Sequence, residues 1–225
     1  MKYNRLISLG ALVALIGYIA SGPLGFLMVQ SVKPQPAWIS AEVFVENYHI
    51  IQDVPFYFGF LLIGGMLMLA AGLYLSYDGG DPQKKFHLLV ALGWTVAFFT
   101  MISFNYVIQT TFIRHLAINY KPEYDSLISG FSMANPISFC WANEIWGYGF
   151  LGVATCLMAA HYSGRNNLIS ALLIANGIVS VATIVFTIID TEWLLTSIGL
   201  GAYFIWNGLM IALMILIFND SRKRR

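Results

Sequence analysis

The sequence predicts an all-α polytopic membrane protein, a single bundle of six transmembrane helices over residues 1–225 with both termini cytoplasmic. Three observations carry this expectation. Apolar residues make up 58% of the 225 and charged residues only 10%, where a soluble domain is nearer ~45–50% and ~25%. The missing charge is concentrated in six long apolar runs, each close to or above the ~20 residues that a bilayer core requires. Lys and Arg are distributed unevenly between the segments that connect those runs.

The first run, 6–29, follows a basic start at Lys2 and Arg5 and ends beyond the small residues Ala20-Ser21-Gly22. A signal peptide has a shorter apolar region of ~7–15 residues, so a retained helix is expected. The second run, 56–77, stops at Asp78-Gly79-Gly80-Asp81-Pro82, a turn-rich stretch. The third, 86–112, opens a polar connection that leads to the fourth, 136–160. Ser163-Gly164-Arg165-Asn166-Asn167 separates the fourth from the fifth, 168–189. The sixth, 194–218, follows after only Asp190-Thr191-Glu192, and this predicts a tight antiparallel hairpin. Two longer connections, 30–55 and 113–135, fall on one side. Trp38, Phe44, Tyr48 and His49 would suit a short helix at headgroup level there.

With both termini inside, the inner segments hold Lys2, Arg5, Lys84, Lys85, Arg165, Arg222, Lys223, Arg224 and Arg225. The outer ones hold only Lys33, Arg114 and Lys121. The positive-inside rule selects this orientation, in a cell (inner) membrane. The lipid bilayer is then the first partner. A net charge of +1 without an extended basic region argues against nucleic acid. Cys140 and Cys156 would lie ~24 Å apart on one helix, too far to bridge within the chain. No internal repeat is evident.

Glu144 is the one formally charged side chain inside the six runs. A carboxylate in hydrocarbon costs at least ~2.5–3.5 kcal/mol, so it is expected to face a bundle interior or a wet cavity. By three-and-four spacing it shares a face with Cys140, Trp141, Gly147, Tyr148, Leu151, Gly152 and Thr155. Asn143 precedes it. The glycines of this helix, Gly147, Gly149 and Gly152, read as a packing seam. On the fifth run Asn176, Ser180, Thr183, Thr187 and Asp190 step by four, three, four and three, one continuous polar line. Such hydroxyls often bond their own backbone, but five on one face suggest interhelical bonding or a cavity wall. The third run adds Asn105 and Gln109, and the sixth Thr196, Tyr203 and Asn207. Glu144, Asn105 and Thr183 all fall ~10–12 Å inward of their helix ends at ~1.5 Å per residue, which suggests a common centre.

The candidate ligand-binding set is therefore Glu144, Asn143, Asn105, Gln109, Tyr148, Asn176, Ser180, Thr183, Thr187 and Asp190. No catalytic residue is assigned. Glu144 is expected either as a neutral acid bonded to Asn105, Gln109 or a Thr hydroxyl, or as a carboxylate beside water or a cation. Arg114 is the nearest basic candidate. No cofactor or metal is expected: His49, Asp53 and His115 lack a fourth zinc ligand, and His87 and His161 lie at the inner ends of spans, too shallow for buried haem ligands. No lysine lies within a span for a Schiff base, and no nucleotide-binding or hydrolase motif is present. Three functional expectations remain. The leading one is binding or transport of a small or amphiphilic ligand through an outward-facing polar cavity at Glu144. The second is an enzyme acting on a lipid with Glu144 as general acid or base. The third is a non-catalytic subunit that binds a membrane partner helix or a second copy.

Overall fold

The computed structural model describes residues 2–224 and is helical throughout, with no strand among the described residues. Arg225, one of the inner basic residues, lies outside the described residues. The long helices are α1 (Lys2–Ser21), continued by α2 (Pro23–Val32), α4 (Val54–Ser76), α5 (Pro82–Val107), α8 (Phe139–Tyr162), α9 (Asn167–Ile189) and α10 (Ser197–Lys223). Shorter helices α3 (Ala41–Glu46), α6 (Arg114–Ile118) and α7 (Asp125–Phe131) lie in the two long connections.

Local chemistry sets most of the boundaries. Asp81 caps α5, its Oδ1 accepting from the backbone of Gln83 (2.9 Å) and Lys84 (3.3 Å), with Pro82 as the first helical residue. Ser138, Asn166 and Thr196 cap α8, α9 and α10 in the same manner. Pro23 cannot donate to the preceding turn, so the first run breaks at Gly22 into α1 and α2 instead of forming one uninterrupted rod. The third run is longer than the sequence suggests. It continues from α5 through a π-helical turn, Ile108–Ile113, into α6, and Arg114 and His115 therefore sit on helix, not in a loop.

The helices close into a ring in the spatial order α1, α4, α5, α8, α9, α10. The α1–α4 seam is the tightest. A Cβ on Gly10 would stand 2.6 Å from the Leu69 backbone nitrogen, and on Gly17 or Gly65 it would meet the opposing backbone at Leu62 or Ala14. Only glycine permits that approach, and close backbones maximise dispersion where lipid supplies no hydrophobic drive. Gly147 meets Ile102 of α5, while Gly149 and Gly152 meet Ile184 and Ser180 of α9. The expected packing role of these glycines is what their surroundings provide. By contrast α9 packs mainly along α8 and touches α10 sparsely, so the tight hairpin expected of the last two runs does not form. The Trp193–Leu195 turn and the start of α10 only at Ser197 hold them apart.

One end of the bundle carries α3, α6 and α7, whose own small core contains Phe44, Ile113, Leu116 and Ile128. Phe44 is 6% exposed and packs into this cap, where an interfacial helix would have turned it to lipid headgroups. The opposite end carries both described chain ends. The Asn4 amide donates to the Arg224 carbonyl (2.9 Å), and Asn166 and Arg224 both donate to Asp220.

Five helical segments are long and apolar enough to cross a membrane: Tyr3–Val32, Ile50–Ser76, Pro82–Ile118, Asn167–Ile189 and Ser197–Lys223. The fourth sequence-predicted span, now α8, is equally long at 24 residues but falls outside that set. Asn143, Glu144 and His161 lower its hydropathy, and protein covers much of its surface: it lies between α5 and α9 with Leu151, Gly152, Ala154, Thr155 and Met158 buried.

Candidate functional site: a carboxylate in an aromatic cavity

Glu144 lies in the second turn of α8, where the cap at Ser138 has already set the helix direction. Its two oxygens are held separately. Asn105 Nδ2 donates to Oε2 at 2.7 Å, and Tyr106 Oη donates to Oε1 at 3.0 Å. The same Asn105 amide also donates to the Cys140 carbonyl (3.0 Å), tying α5 to the first turn of α8. Tyr106 in turn lies 3.4 Å, hydroxyl to hydroxyl, from Tyr148, the residue one turn beyond Glu144. Charge-assisted donors of this kind hold a carboxylate in one rotamer. Among the described residues no Lys or Arg pairs with it, the ion pairs being Arg114–Asp53 (4.0 Å) and Arg224–Asp220 (2.9 Å). Arg114, the nearest basic candidate by sequence, is turned instead to Asp53 and the Tyr57 hydroxyl at the capped end.

The carboxylate is half-buried, and its open side faces a cavity of about 590 Å³. This is ample for a drug-sized ligand. Every long helix contributes to the wall: Tyr18 and Gly22 from α1 and its break, Phe56 from α4, Tyr106 from α5, Tyr148 from α8, Ser180 and Thr183 from α9, and Tyr203 and Trp206 from α10. The rings pack in two groups that meet at the Tyr106 and Tyr148 hydroxyls. Phe56 packs on Tyr106 (centroids 5.4 Å), Tyr148 meets Trp206 edge-on (5.5 Å), and Trp206 meets Tyr18 (5.7 Å) and Tyr203 (6.4 Å). The break at Gly22-Pro23 and the separation of α9 from α10 are what leave the space. Between those two helices the cavity opens to the flank of the bundle. Phe186, Ile198 and Leu200 line it while being 52%, 82% and 45% exposed.

The sequence-derived set divides into two groups. Glu144, Tyr148, Ser180 and Thr183 line the cavity, and Asn105 stands behind Glu144 as its donor. The others are engaged elsewhere. Gln109, in the π-helical turn, clasps the segment before α8: its Nε2 donates to the Phe131 carbonyl (2.9 Å) and its Oε1 accepts from the Met133 backbone (3.0 Å). The Asn143 amide donates across to the Met101 carbonyl of α5 (2.9 Å). Asn176 joins three helices, donating to Thr155 (2.9 Å) and accepting from the Trp206 indole (2.8 Å). Thr187 accepts from the Trp193 indole (2.7 Å), and Asp190 closes the adjoining turn on the Glu192 backbone (2.9 Å). Thr183 bonds its own helix at Val179 (2.9 Å). The polar line of α9 is thus buried at Asn176, Ser180 and Thr187 and is not presented to lipid there.

The residues that sequence reasoning missed are aromatic: Tyr106, Tyr18, Trp206 and Phe56. In a chain with 12 Tyr, 16 Phe and 6 Trp, nothing local distinguishes a ring in a cavity wall from one facing acyl chains. Tyr106 carried the one usable hint, a hydroxyl adjacent to Asn105.

No grouping of three or more His, Cys, Asp and Glu suited to a metal occurs among the described residues. His49 Nδ1 accepts from the Ile51 backbone (3.2 Å) and His115 faces Asn119 (3.5 Å). Comparison with protein-family models, curated proteins and solved structures finds no match for this chain.

Proposed function

We propose that this chain is a six-span membrane protein, both termini cytoplasmic, that binds or transports a small or amphiphilic ligand through the cavity at Glu144. The observation that carries the reading is an unpaired carboxylate, fixed by Asn105 and Tyr106, in the wall of a roughly 590 Å³ aromatic cavity. The lateral opening between α9 and α10 suits an amphiphile that arrives from the leaflet. The capped end, with Lys33, Arg114 and Lys121, is the outer face by the positive-inside rule.

Support for six spans comes from parity. The Asn4–Arg224 bond brings both described chain ends together, as an even number of crossings would. α8 then crosses as well, its polar residues shielded by α5 and α9. Ionisable groups in membranes generally face the bundle interior in this way.

An enzymatic role needs a second titratable group or nucleophile in reach of Glu144. Asp53, His49, His115 and Asp190 are each bonded to other partners, and the one titratable group among the described residues that hydrogen-bonds Glu144 is the Tyr106 phenol, which donates to it alongside the Asn105 amide. Ligand binding is therefore the stronger proposal. Reconstituted into proteoliposomes, Glu144→Gln is expected to lose ligand-dependent uptake or binding and its pH response. Wild-type behaviour in that variant would remove Glu144 from the account.

A further inference from the structure

The chemistry of the cavity narrows the ligand. Its one formal charge is negative, and the described residues supply no cation to it. Nine aromatic residues stand in the rest of the wall, and the π-face of such a ring attracts positive charge and repels anions. Tyr106 donates to the carboxylate, Tyr148 stands beside Tyr106, and Trp206 and Tyr203 continue the ring contacts from Tyr148 along the same wall. This combination, one anion among aromatic rings, is how proteins hold quaternary and protonated amines. The wall is, in contrast, aliphatic and exposed at Ile198 and Leu200.

We infer that the ligand is an amphiphilic organic ammonium, its head between Glu144 and the Tyr106–Tyr148–Trp206 rings and its tail leaving between α9 and α10. This rests on the proposal that the cavity binds a ligand at all, and it adds the class of ligand and its orientation. An anionic amphiphile would meet the carboxylate unshielded, and a neutral one would leave it without a counter-charge.

The test uses the full-length protein in maltoside micelles with octyltrimethylammonium, octanol and octanoate, which share a tail and differ in head charge. Binding is read by calorimetry and by the change in tryptophan fluorescence, since Trp141, Trp193 and Trp206 line the cavity. The ammonium is expected to bind at least about tenfold more tightly than octanol, with octanoate weakest. Glu144→Gln should erase that preference while octanol binding persists, and Glu144→Asp should retain it. Equal binding of the three probes by the wild-type protein would overturn the inference without any variant. So would a preference that survives Glu144→Gln. The underlying proposal is tested separately by Ala182→Trp, which fills the wall away from the carboxylate. If it leaves binding of every probe unchanged, the cavity is not the binding site and both fall. If it abolishes binding while the wild type shows no charge preference, only the ammonium assignment falls.

Discussion

Glu144 depends on two donors from adjacent residues of one helix, and each contributes differently. Asn105 is fully buried and serves both the carboxylate and the Cys140 carbonyl. Asn105→Ala removes both bonds and strands an acidic oxygen, so a loss of about 1–3 kcal/mol is expected. A lower unfolding midpoint in detergent would verify it. An unchanged midpoint would mean that the amide does not hold the site together. At the capped end, Tyr48 donates to Asp53 at 2.7 Å. Burial first, then that bond and the carboxylate charge, push the phenol well above its ordinary value of 10.0. The folded state therefore favours the neutral phenol. Its contribution is complete below pH 10 and is lost as the pH rises above that value. In alkaline titration Tyr48 is expected to ionise after the exposed tyrosines, and Tyr48→Phe should lower the late part of the tyrosinate absorbance by the share of one residue.

Among the elements, the α1–α4 pair is held by backbone contact at Gly10, Gly17 and Gly65, whereas the α9–α10 pair touches sparsely and is joined by side-chain bonds such as Trp206 to Asn176. These two seams have opposite sensitivities. Gly65→Leu forces a side chain into the Ala14 backbone and is expected to cost about 1–3 kcal/mol or more, seen as a drop in thermal midpoint. The α9–α10 seam has no such glycine contact, and Gly201 and Gly208 have open space at the Cβ position. Gly208→Ala should leave the midpoint unchanged or slightly raised, because alanine favours helix by about 1 kcal/mol over glycine. The Gly22-Pro23 break belongs to this scale too. It shifts α2 relative to α1 and leaves room for the cavity beside Tyr18 and Asn207.

For the whole molecule, the number of crossings decides where the segment between α8 and α9 lies. In a cysteine-free background, Ser163→Cys should react with an impermeant thiol reagent only from the side that carries the termini. Glu123→Cys should react only from the opposite side. If both react from one side, α8 does not cross and the chain has five spans. Ligand access through the flank gives a companion expectation. Enlarging Leu200 at the mouth, as Leu200→Trp, should slow association of a bound amphiphile more than it changes the bundle's stability, measurable by stopped-flow quenching.

The sequence alone determined what depends on local composition and spacing. Apolar runs of about 20 residues pointed to helices that satisfy their own backbone hydrogen bonds in lipid, the turn-rich stretches at Asp81 and Asn166 marked where two of them begin, and Glu144 was singled out by its cost in hydrocarbon. The pairing of Glu144 with Asn105 was also within reach, because helical rise converts position into depth. Rotation about the helix axis was not. A shift of one residue turns a side chain by about 100°, and a small irregularity such as the π turn at Ile108–Ile113 re-aims every side chain beyond it. Gln109, inside that turn, clasps Phe131 and Met133, while the rotations of α8 and α5 bring Asn143 to Met101 and the unremarked Tyr106 to the carboxylate. Tertiary structure alone decided that α9 and α10 would part, because the space between them depends on how six helices share neighbours. No single run encodes that choice.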